Sequence, residues 1–113
     1  LASRTQRVLG AGVDPSSLCW DPGIGFGKTT EHNLALMKAT EQFGKTYPVL
    51  MGLSRKRWIG ELTGAAVSDR LTGSLAGAAA VISRGAHILR VHDVKETCEL
   101  AQVMDRVSRS TYD

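Results

Sequence analysis

At 113 residues the chain is long enough for one compact domain and too short for two. Apolar residues make up 42% and charged residues 22%, which excludes a disordered chain. The net charge of +3 is scattered among acidic residues, with no basic run and few aromatics, which excludes a surface built for nucleic acid.

In chain order, Leu1 to Leu9 reads as the last turns of a helix that Gly10 and Gly12 stop. With a start at Leu1 rather than Met, a processed product or a piece of something larger is expected. LASRTQR lacks the apolar core of a signal peptide, and no later run reaches the length of a membrane span, so a cytoplasmic protein is expected. Asp14-Pro15 signals a turn, and residues 17–21 read as a short strand with Cys19 as a small core residue. Cys19 and Cys98 have neither zinc-like spacing nor a disulfide framework around them. Thr30 is expected to cap a helix to about Phe43, with Glu31 well placed against its dipole and Leu34, Met37, Ala39 and Phe43 on the buried side.

Residues 47–53 form the second strand; its continuous apolar run Val49-Leu50-Met51 suits a parallel sheet covered on both faces. A loop with a short helical piece follows over 54–62. Ser68 or Asp69 then caps a long helix to about Ser83, closed by Gly85. Its interior glycines each cost roughly 1 kcal/mol against alanine, so tight packing on the sheet, ahead of a subunit contact, is the expected compensation. Residues 87–91 make the third strand. Asp93 caps a last helix from Val94 to about Val107, with Leu100, Val103, Met104 and Val107 on its buried face, and the tail SRSTYD frays.

A helix followed by three strand–helix units, with room for a crossover in each, is an α/β architecture with parallel strands. Polar residues gather at the C-terminal ends of all three strands: Asp21 after the first, Gly52, Ser54, Arg55 and Lys56 after the second, Arg90, His92 and Asp93 after the third. That edge is where parallel α/β folds bind ligands. Asp21 can accept paired N–H donors or merely close a turn. Lys56, at the start of a helix whose dipole repels cations, makes sense facing an anion or a carbonyl. Arg90 and His92, two apart, leave one face of the strand and read as an anion clamp, with a structural ion pair for Arg90 as the alternative. Phe26, among glycines, suits stacking on a ligand or closing a loop. Gly27-Lys28-Thr29 matches the end of a phosphate-binding loop, but the leading glycine is replaced by Pro22; a nucleotide-binding protein using Lys28 and Thr29 remains the alternative.

DPGIGFGK (21–28), GLSRK (52–56) and RVHDVKET (90–97) together resemble the signature segments of dihydropteroate synthase, in order and at fitting spacing; His32-Asn33 and SDRLTGSLA (68–76) also fit. Pterin-binding corrinoid methyltransferases share the barrel and match these segments less well. The resemblance implies a TIM barrel of which residues 1–113 supply the last three βα units, a C-terminal portion of one pterin-binding domain. It implies an enzyme of folate biosynthesis that joins 6-hydroxymethyl-7,8-dihydropterin pyrophosphate to p-aminobenzoate and releases pyrophosphate. Asp21 and Lys56 then take catalytic roles. Asp21, Gly52, Lys56 and Arg90 bind the pterin. Phe26, Ser54, Lys56 and Arg57 surround the aminobenzoate, Arg57 standing where members can carry serine. Arg90 and His92 bind pyrophosphate. No metal ligand is expected here; Mg²⁺ would accompany pyrophosphate with its ligands outside this chain. The expected partners are the two substrates, the missing N-terminal part of the barrel and a second copy in a homodimer.

Overall fold

A computed structural model describes residues 2–110. Its helices are α1 (Ala2–Gly10), α2 (Thr30–Lys38), α3 (Thr40–Phe43), α4 (Arg57–Thr63), α5 (Leu71–Ser83) and α6 (Val94–Arg109). Two parallel strands, β1 (Leu50–Met51) and β2 (Ile88–Leu89), pair Leu50 with Ile88 and Met51 with Leu89. On the other side of β1, Trp20 makes an isolated parallel bridge to Val49, through Trp20 N–H to Pro48 O and Leu50 N–H to Trp20 O, both 2.8 Å. Three chain segments thus lie side by side in parallel, and the fold is α/β as expected.

The first strand, expected over 17–21, is reduced to that bridge. The Asp14 carboxylate accepts from Ser16 N–H and Oγ, each at 2.9 Å, and winds Pro15–Ser17 into a 3₁₀ turn. Only Trp20 is left to reach β1; its indole donates to Thr5 Oγ1 at 2.8 Å, tying α1 to the sheet. Cys19, expected in the core, is exposed. It points away from the face that half-buries Leu18 and Trp20, as the period of extended chain requires. The other two strands are also shorter than 47–53 and 87–91. Among the described residues neither Trp20 nor β2 has a strand on its outer side, so ladder pairing ends early.

Several caps differ from expectation. Thr29, not Thr30, caps α2: its backbone is extended and its hydroxyl accepts from His32 N–H. The helix expected to run to Phe43 breaks at Ala39, where the buried Thr40 hydroxyl donates to Met37 O at 2.6 Å. Ser68 and Asp69 lie in the 3₁₀ turn Val67–Asp69, and α5 starts at Leu71 without a side-chain cap. Asp93 stands at the N-cap of α6 but makes no cap bond, because Arg55 takes its carboxylate.

The core lies between β1 and helices α2, α4 and α5, with Ile24, Val49, Met51, Ile59 and Val81 at its centre. The small residues of α5 admit α4 rather than the sheet. A Cβ on Gly77 would stand 2.8 Å from Trp58 Cη2, and one on Gly73 would run into Ile59. Burying those two large side chains offsets the helix cost of the glycines. On α6 the expected buried face is only partly covered: Leu100 and Met104 are half-buried, Val103 and Val107 are 63% and 69% exposed, and Thr97 is the buried residue of the helix. Its main neighbour among the described elements is α5. The radius of gyration, 15.4 Å, exceeds the roughly 13 Å of a compact domain of this length, as a slab with two open edges should. The tail's expected fraying falls largely on residues 111–113, outside the described residues, while 108 and 109 continue α6.

Candidate functional site

The loop from Asp21 to Thr29 is shaped by positive φ at Gly23, Gly25 and Gly27 (75°, 87° and 64°), which side chains rarely adopt. Asp21 Oδ1 accepts from Gly23 N–H at 2.9 Å. The buried Asn33 of α2 accepts from Gly25 N–H at 2.9 Å. Lys28 donates to the carbonyls of Gly23 and Phe26, at 3.0 and 3.1 Å. These bonds give the nucleotide-binding alternative no support: Lys28 closes its own loop and Thr29 caps a helix, whereas a phosphate-binding loop aims both at the ligand.

The chain leaving β1 turns sharply through Arg55, whose φ of 56° makes it the non-glycine residue with positive φ among those described. Two bonds support that turn: Arg55 N–H donates to Ser74 Oγ (2.9 Å), and Arg70 Nη1 donates to Arg55 O (3.3 Å). The turn delivers Lys56 to the N-cap of α4. Its ammonium donates to Ile24 O at 2.5 Å and stands 4.7 Å from the centre of the Phe26 ring. A Cβ at Gly25 would meet Lys56 Cδ at 2.9 Å, so that glycine lets the lysine stem pass. Partial burial lowers the Lys56 pKa from its ordinary value; Arg90 and Lys28 push the same way and Asp21 opposes them.

From the end of β2, Arg90 pairs with Asp21 Oδ2 at 3.1 Å, passing so close over Gly52 that a side chain there would collide with the guanidinium. His92 turns instead to Ser54: its N–H donates to Ser54 Oγ at 3.2 Å, and Nδ1 lies 2.9 Å from the same oxygen. The structure therefore pairs Asp21 with Arg90 and sets Lys56 within electrostatic reach of both. Arg90 and His92 have different protein partners rather than a shared one. Ser54 is buried and engaged with His92.

A cleft of about 650 Å³ opens beside Lys56, lined among others by Phe26, Asn33, Lys56, Arg57 and Glu61. Phe26 is 67% exposed at its edge. Arg57 Nε pairs with Glu61 Oε1 at 2.9 Å, and the other Glu61 oxygen accepts from Thr30 Oγ1, fastening α4 to the start of α2. Asp21 and Arg90 do not line this cleft. Lys56 connects the two regions, lining one and lying within electrostatic reach of both charges of the other.

Sequence reasoning placed Asn33 in a matching segment but gave it no contact, and it missed Glu61 and the Arg55–Asp93 ion pair (2.6 Å), whose hydrogen bond holds the Asp93 carboxyl below its usual range. Asn33 carried a signal: it is a polar residue four positions before Met37, on the apolar face of α2. The Arg55 and Glu61 partners lie 38 and 31 residues away in sequence, with no local pattern to expose them.

The family model described as pterin binding enzyme matches residues 1–92. Dihydropteroate synthase from Haemophilus influenzae is 45% identical over 104 residues, 91% of this chain and 38% of that protein. The Xanthomonas albilineans dihydropteroate synthase, solved in complex with 7,8-dihydropteroate, superposes with a TM-score of 0.94 at 41% identity, covering 97% of this chain and 43% of that one. The same enzyme with 4-aminobenzoic acid gives 0.93. The chain thus spans about two fifths of the length of the relatives it matches. Among the described residues no helix is long and apolar enough to cross a membrane.

Proposed function

The chain belongs to the pterin-binding enzyme family, and from that premise we propose that it supplies one side of the active site of a dihydropteroate synthase. The complete enzyme would join 6-hydroxymethyl-7,8-dihydropterin pyrophosphate to p-aminobenzoate. The corrinoid methyltransferase alternative finds no support in the relatives named above. The observation that carries the reading is the convergence of a carboxylate, an ammonium and a guanidinium from three neighbouring parallel segments, with Asp21 and Arg90 3.1 Å apart and both acting on the Lys56 charge.

In this reading Asp21 accepts the pterin's N–H groups and Lys56 donates to its ring oxygen and nitrogen. Gly52 leaves room for Arg90 to reach over the sheet edge. Arg90 and His92 hold the pyrophosphate. Its C–O bond breaks, the leaving group takes the electron pair, and the arylamine nitrogen forms the new C–N bond and loses a proton. The protein's contribution is electrostatic holding and alignment. Phe26 and Arg57 border the cleft beside Lys56 and suit an aromatic carboxylate, through the ring face and the guanidinium. Ser54 serves this site through His92 rather than by touching the aminobenzoate.

Mg²⁺ bound with pyrophosphate would not be held by these residues. The nearby carboxylates Asp21 and Asp93 are each engaged by an arginine, and the described residues contain no cluster of three metal-ligating side chains. Any such ion takes its ligands elsewhere, and no step here depends on it.

The open outer sides of Trp20 and β2 and the uncovered Val103 and Val107 support a further reading. These residues work as the last three βα units of an eight-stranded barrel, beside strands supplied by additional sequence. A purified chain of these 113 residues is accordingly expected to release no measurable pyrophosphate from the two substrates. Turnover by the chain alone would overturn that expectation, and sedimentation would tell cover by a second copy from cover by further strands.

Arg90→Ala in a complete enzyme tests the anion site. Loss of a charged hydrogen bond should weaken a pyrophosphate-bearing pterin by about 1.5–3 kcal/mol, roughly ten- to 150-fold. A pterin without the pyrophosphate should lose less. Equal losses for both ligands would move Arg90 out of the anion site.

A further inference from the structure

Ser54 is 5% exposed, and its hydroxyl oxygen is approached from two directions by one residue: His92 N–H at 3.2 Å and His92 Nδ1 at 2.9 Å. The backbone N–H can only donate, so Ser54 Oγ is already an acceptor. The hydroxyl hydrogen then needs an acceptor of its own, and among the described residues the ring Nδ1 is the partner present for it. Were Nδ1 to carry the proton, two donors would converge on Ser54 Oγ and its buried O–H would point at nothing, which folded proteins avoid. We propose that Ser54 is a positioning residue that holds His92 as the neutral Nε2–H tautomer, presenting an N–H donor, not a lone pair, on the exposed edge of the ring.

The geometry around the pair supports a positioning role. Ser54 is carried by the rigid turn that also places Lys56, with the following residue pinned to Ser74 and Arg70. His92 lies two residues past the Arg90 that meets Asp21. One buried hydroxyl therefore couples the lysine turn to the end of β2, and fixes both the ring's direction and which nitrogen bears hydrogen. Such control over the far nitrogen is the usual consequence of the bond the near nitrogen makes. A donor at Nε2 is what an anion at this edge needs. That last step rests on the reading of Arg90 and His92 as the pyrophosphate side of the site; the tautomer does not.

The test is long-range ¹H–¹⁵N spectroscopy of the full chain above the pH at which imidazole titrates, with His92→Gln used to assign the signal. His87 provides an internal reference, because its Nδ1 accepts from Val49 N–H at 3.0 Å and it must also be an Nε2–H tautomer. The His92 signals should report the Nε2–H form in roughly tenfold excess or more, the ratio one buried hydrogen bond imposes. Ser54→Ala should let that excess fall toward the value of a free imidazole while His87 is unchanged; a change at His87 as well would report disruption of the fold, and the wild-type ratio would then decide alone. A wild-type ring in the Nδ1–H form, or an excess that survives Ser54→Ala in a folded chain, would overturn the assignment. Inorganic pyrophosphate added to the wild type separates the two ideas: shifted His92 signals support the anion reading, while unmoved signals with the tautomer intact sink that reading and leave Ser54's role standing.

Discussion

Asp21→Asn is expected to weaken binding of a pterin to the complete enzyme by roughly 2–4 kcal/mol, the range for removing one partner of a hydrogen-bonded charged pair. The reason lies in what already faces the carboxylate. Oδ1 accepts from Gly23 N–H and Oδ2 accepts from Arg90. An asparagine amide has one oxygen and one NH₂, so either orientation sets a donor against a donor. The pterin adds N–H groups of its own, and the variant has even fewer acceptors to offer them. Asp21 is partly exposed, so water can solvate the orphaned groups and the fold should lose little stability. Calorimetry with a pterin analogue, beside a thermal melt, separates the two effects. An unchanged dissociation constant would remove Asp21 from the pterin site. A lost affinity with an equally large fall in melting temperature would instead make the Asp21–Arg90 pair structural.

Lys56→Met should lower kcat/KM by about 10²–10³, the scale on which one preorganised donor acts. Methionine keeps an unbranched stem that can follow the same path past Gly25, so the change removes the charge with little loss of packing. The ammonium stands between Ile24 O and the Phe26 ring, where burial lowers its pKa, with Arg90 and Lys28 adding to the effect. The protonated form is the donor. Activity that depends on it is therefore present at neutral pH and lost as pH rises, starting below the range in which a free lysine titrates. Removing Arg90 takes away a repulsion and leaves Asp21 unpaired beside the lysine, so Arg90→Ala should move that alkaline limb to higher pH. A pH–rate profile with an alkaline limb identical in wild type and Lys56→Met would show that the limb belongs to another group. An Arg90→Ala limb at lower pH would contradict the electrostatic coupling.

Much of this site could be read from the chain because its groups are local to strand ends. Asp21, Lys56 and Arg90 each follow a short apolar run, and a parallel α/β fold sends such positions to one edge. The α/β class followed from the same order of apolar runs and helical stretches, which is a property of neighbouring residues. Glycines at 23, 25 and 27 announced a loop by their spacing, and the structure gives all three positive φ. What the chain could not announce was which partner each charged group would take. Asp93 looked like a helix cap, yet Arg55 holds it from 38 residues away. Ser54 looked like a residue beside the aminobenzoate, yet its hydroxyl meets His92. Thr30 looked like a cap, yet Glu61 takes its hydroxyl and Thr29 caps instead. Caps and turns are contests among nearby hydrogen-bonding groups that differ by about 1 kcal/mol, so a distant carboxylate or guanidinium brought close by folding decides them.

Residue order by itself determined the parallel layout, the edge on which polar groups gather and the close approach that the glycines of α5 allow. Tertiary structure alone decided that the partner is Trp58 and Ile59 of α4, that the first strand shrinks to Trp20, and that Val103 and Val107 of α6 stand uncovered. The physical reason is common to all three. Periodicity encodes which side of an element seeks burial, whereas the identity of the surface that buries it, or its absence, depends on segments far along the chain whose approach no local pattern records.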